Sequence, residues 1–126
     1  MNLVKLIVCI LLGATASMVH ALDIKPYTAA ALSEAQQGGK AVALHFHADW
    51  CPTCKAQEKA LQVIKNEPGL DLTVLVVNYD TEKDLKRRYN VRAQSTLVVL
   101  RGQKESARLV GDTAPESIRG ALKSAL

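Results

Sequence analysis

Two stretches of different period meet at Trp50-Cys51-Pro52-Thr53-Cys54, and this junction constrains the fold more than any other part of the chain. Ala41 to His47 is short and mostly apolar, the pattern of a buried strand. Lys55 to Asn66 has helical spacing, with Ala56, Ala60, Leu61 and Ile64 forming its apolar face. Pro52 falls in the first helical turn, where a missing N–H costs nothing. The reading is therefore strand, sharp turn, helix, with two thiols at the helix start. Cysteines two residues apart can close a small disulfide ring there. The first thiol also lies where helix N–H groups stabilise a thiolate. Such a site exchanges electrons with other thiols through a mixed disulfide.

The beginning of the chain reads as separable. Met1 to Lys5 is short and carries one positive charge, Leu6 to Ala14 is almost wholly apolar, and Val19-His20-Ala21 fits a small-residue cleavage site. Residues 1–21 are thus expected to be a secretory signal peptide, and residues 22–126 one domain. The apolar stretch is shorter than the roughly 20 residues of a relaxed membrane span, so no stable membrane insertion is expected after cleavage. Cys9 would leave with the leader. Loss of Lys5 takes the net charge from +4 to +3. Lys86-Arg87-Arg88 is the one basic run, without interleaved aromatics, and fits a solvated helix better than a nucleic-acid site. Cys51 and Cys54 would then be the only thiols, in an oxidising, exported compartment. A two-residue gap closes almost no loop, so a staple at that position adds little stability. Redox chemistry explains the pair better.

Along the rest of the chain, Asp23 to Tyr27 reads as an edge strand and Thr28 to Gln37 as a helix stopped by Gly38-Gly39. Pro68-Gly69 ends the cysteine helix. Leu72 to Asn78 reads as a central strand. Thr81 and Asp84 have capping-box spacing for a helix running to Tyr89, and Thr113 and Glu116 have it for a last helix. Ile118, Ala121, Leu122 and Ala125 should face inward from that helix. Thr96 to Arg101 and Glu105 to Val110 flank Gly102-Gln103 as a hairpin. A βα unit followed by a hairpin implies an α/β fold, a central mixed β-sheet with helices on both faces.

Ala48-Asp49-Trp50-Cys51-Pro52-Thr53-Cys54-Lys55 resembles the active-site signature of the thioredoxin superfamily. Tyr89-Asn90-Val91-Arg92 with Thr96 to Leu100 is similar to the family's third core strand and its approach, and Val110-Gly111 to the end of its hairpin. The match covers Val42 to Leu122. It implies a thioredoxin-like fold and a thiol–disulfide oxidoreductase in which Cys51 attacks and Cys54 resolves. Lys55 would help to lower the Cys51 pKa. Trp50, Pro52, Thr53, Gln94, Ser95 and Thr96 would line the groove for the partner. No organic cofactor is implied, since the cysteine pair is itself the redox centre.

Three departures from the family stand out. Ser95 occupies the place of its usual cis-proline, and a cis bond there would cost about 2.5–4 kcal/mol, so a trans bond is expected. His45 replaces the aspartate buried beneath the resolving cysteine in many thioredoxins. With an ordinary pKa near 6.5, it is expected to deprotonate Cys54, the alternative being a core histidine with a satisfied hydrogen bond. Val76 replaces the lysine that often accompanies that aspartate. Asp49, where an exposed acid is common, receives no role.

The resulting expectation is an oxidoreductase of the bacterial cell envelope, acting on protein thiols and disulfides. Similarity to the exported domains of transmembrane thiol reductant systems favours a reductant fed by a membrane thiol reductase. Two alternatives stand beside it. One is a copper metallochaperone using Cys51, Cys54 and His47, whose soft and imidazole donors suit Cu(I). The other is a binding or chaperone module that needs no turnover.

Overall fold

The computed structural model describes residues 21–126. The expected leader, with Cys9, lies outside the described residues except for Ala21. The elements run β1 (Asp23–Pro26), α1 (Ala29–Gln37), β2 (Ala41–His47), α2 (Pro52–Ile64), β3 (Thr73–Asn78), α3 (Lys83–Arg88), β4 (Thr96–Arg101), β5 (Lys104–Val110) and α4 (Pro115–Lys123). The strands form one sheet in the order β1-β3-β2-β4-β5. β1 and β2 run parallel to β3, whereas β4 is antiparallel to both β2 and β5. The expected mixed α/β architecture is therefore what the chain adopts.

Strand alternation divides the core into two layers. On one face Ala41, Ala43, Val74, Leu97 and Val99 pack with Leu61 and Ile64 of α2 and with Ile118, Ala121 and Leu122 of α4. On the other, Val42, Leu44, Phe46, Leu75, Val77 and Val98 pack with Leu32 of α1 and Leu85 of α3. Burying each of the larger side chains contributes about 1.5–3 kcal/mol relative to exposure. β2 is covered on both sides, which is why six of its seven residues are buried. The inward residues expected of the last helix, Ile118, Ala121, Leu122 and Ala125, are all buried.

The helix caps differ in part from expectation. Thr28 caps α1, its Oγ1 accepting from Ala31 N at 3.0 Å. The boxes expected at Thr81/Asp84 and Thr113/Glu116 do not form, because α3 and α4 begin one residue later, after Glu82 and Ala114, neither with a side-chain cap. Asx turns take their place. Asn78 Oδ1 accepts from the backbone of Asp80 and Thr81, and Asp112 Oδ1 accepts from Ala114 N. Asp84 instead pairs with Arg87, so the basic run of α3 is a partnered, solvated face.

Register brings the site together. Phe46 of β2 pairs with Thr96 of β4, so Ser95, just before β4, lies beside the end of β2. Four residues after β2 comes Cys51, the first of the two thiols.

A candidate redox site at the start of helix α2

Cys51 is the N-cap of α2, with Pro52 in the first turn. Its sulfur accepts the Cys54 backbone N–H at 3.1 Å, the bond a serine or aspartate cap would normally take. A sulfur in that position sees the positive end of the helix and is favoured as thiolate. Both cysteines are free thiols and both are buried.

The hydroxyl of Ser95 lies between them, 3.2 Å from Cys51 Sγ and 3.1 Å from Cys54 Sγ. Burial pushes the Cys51 thiol up. Hydrogen bonds with the Cys54 thiol, the Ser95 hydroxyl and the N–H groups of Cys54 and Thr53 outweigh it, so the pKa falls below the ordinary thiol value. At Cys54, burial and the bond with the Cys51 thiol prevail over the Ser95 hydroxyl, and the pKa rises. The two sulfurs are thereby separated into a reactive one and a protonated one.

No peptide bond among the described residues is cis, so the Gln94–Ser95 bond is trans, as expected from the serine. Ser95 adopts φ +65°, a left-handed conformation that a non-glycine residue holds only when its surroundings impose it. The surroundings are explicit. Ser95 N donates to Phe46 O at 3.0 Å, and Ser95 O accepts from Gly111 N at 3.0 Å and from Gln57 Nε2 at 2.9 Å.

Gln57 escapes the apolar-face reading of α2. That reading chose Ala56, which is exposed, whereas the buried stripe runs Cys54, Gln57, Ala60, Leu61, Ile64. The signal was present in the spacing, since Gln57 lies three residues from Cys54 and from Ala60. A glutamine in such a stripe must find partners. Its Nε2 donates to Ser95 O and to Asp112 O, both at 2.9 Å. With both amide hydrogens so used, Oε1 faces His45 Nε2 at 2.9 Å as an acceptor. His45 therefore carries its proton on Nε2.

This geometry bears on the base expected of His45. Burial, reinforced by His47, lowers its pKa from 6.5 to about 4, against the opposing pull of Gln57 and Glu58. At neutral pH the ring is an uncharged donor to Gln57. Among the described residues no hydrogen bond joins it to Cys54, whose sulfur meets Ser95 Oγ and, at 4.0 Å, Phe46 O. The structure thus brings His45 to Gln57, the satisfied core histidine of the alternative reading.

Comparison with known proteins agrees with this arrangement. The family model described as Thioredoxin matches residues 24–124. The chain belongs to the thioredoxin family. Trxlp from Edwardsiella tarda, 37% identical, superimposes with a TM-score of 0.73 over 79% of this chain and 98% of that one. A thioredoxin H-type protein from Populus jackii is 32% identical over 99 residues, 78% of this chain and 70% of its own length. A thioredoxin from Mycobacterium tuberculosis is 31% identical over 88 residues, 70% of this chain and 76% of its own. Membership makes the chain a thiol–disulfide oxidoreductase with Cys51 and Cys54 as its redox pair.

The remaining residues expected at this thioredoxin site divide into two groups. Trp50, Pro52 and Thr53 are exposed around the sulfurs, and Gln94 is half-buried. Trp50 is 59% exposed, its ring held by a bond from Nε1 to Asp80 Oδ2 at 2.9 Å. Thr96 belongs inside instead: it is buried, and its hydroxyl donates to Ala93 O at 2.7 Å, so it braces the loop rather than presenting a surface. Lys55 is exposed and is not among the groups that shift Cys51. His47 turns its ring nitrogens to Asp49 and Glu58, at 3.7 and 3.4 Å. Among the described residues no group of three or more His, Cys, Asp or Glu side chains is placed to hold a metal ion.

Proposed function

We propose that this thioredoxin works outside the cytoplasm, in the cell envelope, as a reductant of protein disulfides. Cys51 is the attacking thiolate and Cys54 the resolving thiol. The observation that carries these roles is the Cys51 sulfur at the N-cap of α2, accepting the Cys54 N–H, while burial holds the Cys54 thiol above its ordinary value. The location rests on the sequence of residues 1–21, with its single early lysine, apolar run and small-residue site. A reductant in an oxidising compartment must be recharged. A transmembrane thiol reductase is the donor that can carry electrons across the membrane to it.

The direction of flow is tested by the reduction potential of Cys51–Cys54, measured by equilibration in thiol buffers. A value near about −270 mV, the level of a reducing thioredoxin, is expected. A value near about −120 mV would make the protein a disulfide donor and remove the need for a membrane reductase. Location is tested separately, by fractionating cells that express the full chain and sequencing the N-terminus of the product. Cleavage after Ala21 is expected, and an intact N-terminus in the cytoplasmic fraction would overturn it.

A further inference from the structure

A hydroxyl has one proton to give and lone pairs with which to accept. Ser95 Oγ, 3.2 Å from Cys51 Sγ and 3.1 Å from Cys54 Sγ, therefore cannot donate to both at once. With Cys51 as the thiolate, the order that serves both sulfurs through this hydroxyl has Cys54 S–H donating to Ser95 Oγ and Ser95 O–H donating to Cys51 Sγ. That order leaves Cys51 as the acceptor, consistent with its taking the Cys54 backbone N–H as well. Ser95 is 3% exposed, so bulk water does not compete for the hydroxyl. Its position is fixed by the bonds from Ser95 N to Phe46 O and from Gln57 and Gly111 to Ser95 O, which hold the backbone left-handed.

We propose that Ser95 is a catalytic residue of the disulfide exchange, its hydroxyl proton turning from Cys51 to Cys54 as the negative charge moves between the two sulfurs. In the first step the Cys51 thiolate, held by the Ser95 O–H, attacks a partner disulfide RS–SR′. A Cys51–SR bond forms, the RS–SR′ bond breaks, and R′S⁻ departs. Cys51 is now neutral and no longer needs the donor. The Cys54 proton passes to the departing R′S⁻, giving R′SH, and the Ser95 O–H rotates to the new Cys54 thiolate. Cys54 then attacks Cys51 Sγ, the ring disulfide closes, and RS⁻ leaves to take a proton from solvent. Two thiols are oxidised and one disulfide is reduced. Each step is reversible, so the role of Ser95 does not depend on the net direction or the compartment.

The test is stopped-flow mixing of the reduced full chain with an aromatic disulfide whose released thiolate is coloured. The first coloured equivalent reports attack by Cys51, and the second reports resolution by Cys54. Wild type, S95A and S95G are compared at mildly acidic pH, where thiolate fraction limits both phases. S95G relieves the left-handed backbone while removing the hydroxyl, so it separates the hydroxyl from any strain introduced by alanine. Losing one hydrogen bond to a charged sulfur should deplete each thiolate about tenfold. Greater intrinsic nucleophilicity offsets about half of that on a logarithmic scale. Both phases are therefore expected to slow about threefold or more in both variants. If either phase of S95G keeps the wild-type rate, the proposal is overturned.

Discussion

Gln57 and Ser95 are tied side chain to backbone, Gln57 Nε2 donating to Ser95 O across 2.9 Å. The same nitrogen reaches Asp112 O, and the Oε1 of the same amide receives His45 Nε2–H. One buried amide thus joins β2, the loop before β4 and the loop after β5 directly beneath the sulfurs. Replacing it with leucine keeps the volume but leaves the Asp112 carbonyl and the His45 N–H without their partner. Each orphaned group costs about 1–3 kcal/mol. Q57L is expected to lower the unfolding free energy by roughly 2–5 kcal/mol in urea at neutral pH. A loss well under 1 kcal/mol would mean that the amide is not holding these loops.

His45 makes stability depend on pH. Its folded pKa of about 4 lies below its ordinary value of 6.5, so the unfolded chain binds the proton more readily. The contribution is complete above pH 6.5 and is lost progressively as pH falls toward 4, where both states become protonated. Across that window the stability should fall by about 3 kcal/mol, beyond the shared loss from carboxylates. Urea unfolding at several pH values, for wild type and H45Q, measures it. The difference in slope between the two should vanish above pH 6.5. Equal slopes below it would show that His45 is not held neutral.

Much of this architecture can be read from residue order. The valine-rich β3, the helix ending at Gly38-Gly39 and the hairpin at Gly102-Gln103 each have a period or a turn that survives in the fold. The cysteines were legible because their spacing and their place after a buried strand carry chemistry by themselves. What was not legible depended on contacts between residues far apart in sequence. The Gln57 partners lie 12, 38 and 55 residues away, and no local pattern announces them. His45 suggested a base because its intrinsic pKa invites one, whereas the fold buries its ring and sets Nε2 against Gln57, a placement no local pattern announces. Thr81 and Thr113 had capping spacing, yet Asn78 and Asp112 supplied the turns, since competing side-chain acceptors differ by only a few tenths of a kcal/mol, about the size of many local preferences.

The unequal thiols predict unequal fates for their substitutions. C54S should retain the attacking sulfur and accumulate a mixed disulfide with a protein substrate, visible as a higher-mass species on a non-reducing gel. C51S should form none at neutral pH, because the remaining thiol is buried and its pKa is raised. Trapping by C51S to the same extent as by C54S would reverse the assignment of roles.

Trp50 is the only tryptophan, so its emission reports on this one surface. Its ring is held by Asp80 beside the sulfurs. D80A should free the indole and change its emission spectrum. The attack rate on a small disulfide should be unchanged, since Asp80 touches neither cysteine. For a large protein substrate KM should rise about threefold with kcat unchanged, as expected for loss of one exposed hydrogen bond that orients a docking residue. A fall in kcat on small disulfides would show that Asp80 acts on the sulfurs.

The left-handed backbone at Ser95 also restricts what this position can become. A proline ring fixes φ near −65°, on the opposite side of the map from the +65° found here. Proline also lacks the N–H that Ser95 gives to Phe46 O. Substituting the residue that other thioredoxins use would therefore break this loop rather than convert it into theirs. The replacements compatible with the backbone are glycine, asparagine and aspartate, which tolerate a positive φ. The backbone would admit an amide, a carboxylate or a bare glycine in place of the hydroxyl, each at the expense of the exchange chemistry, but proline would require the whole loop to be rebuilt at once.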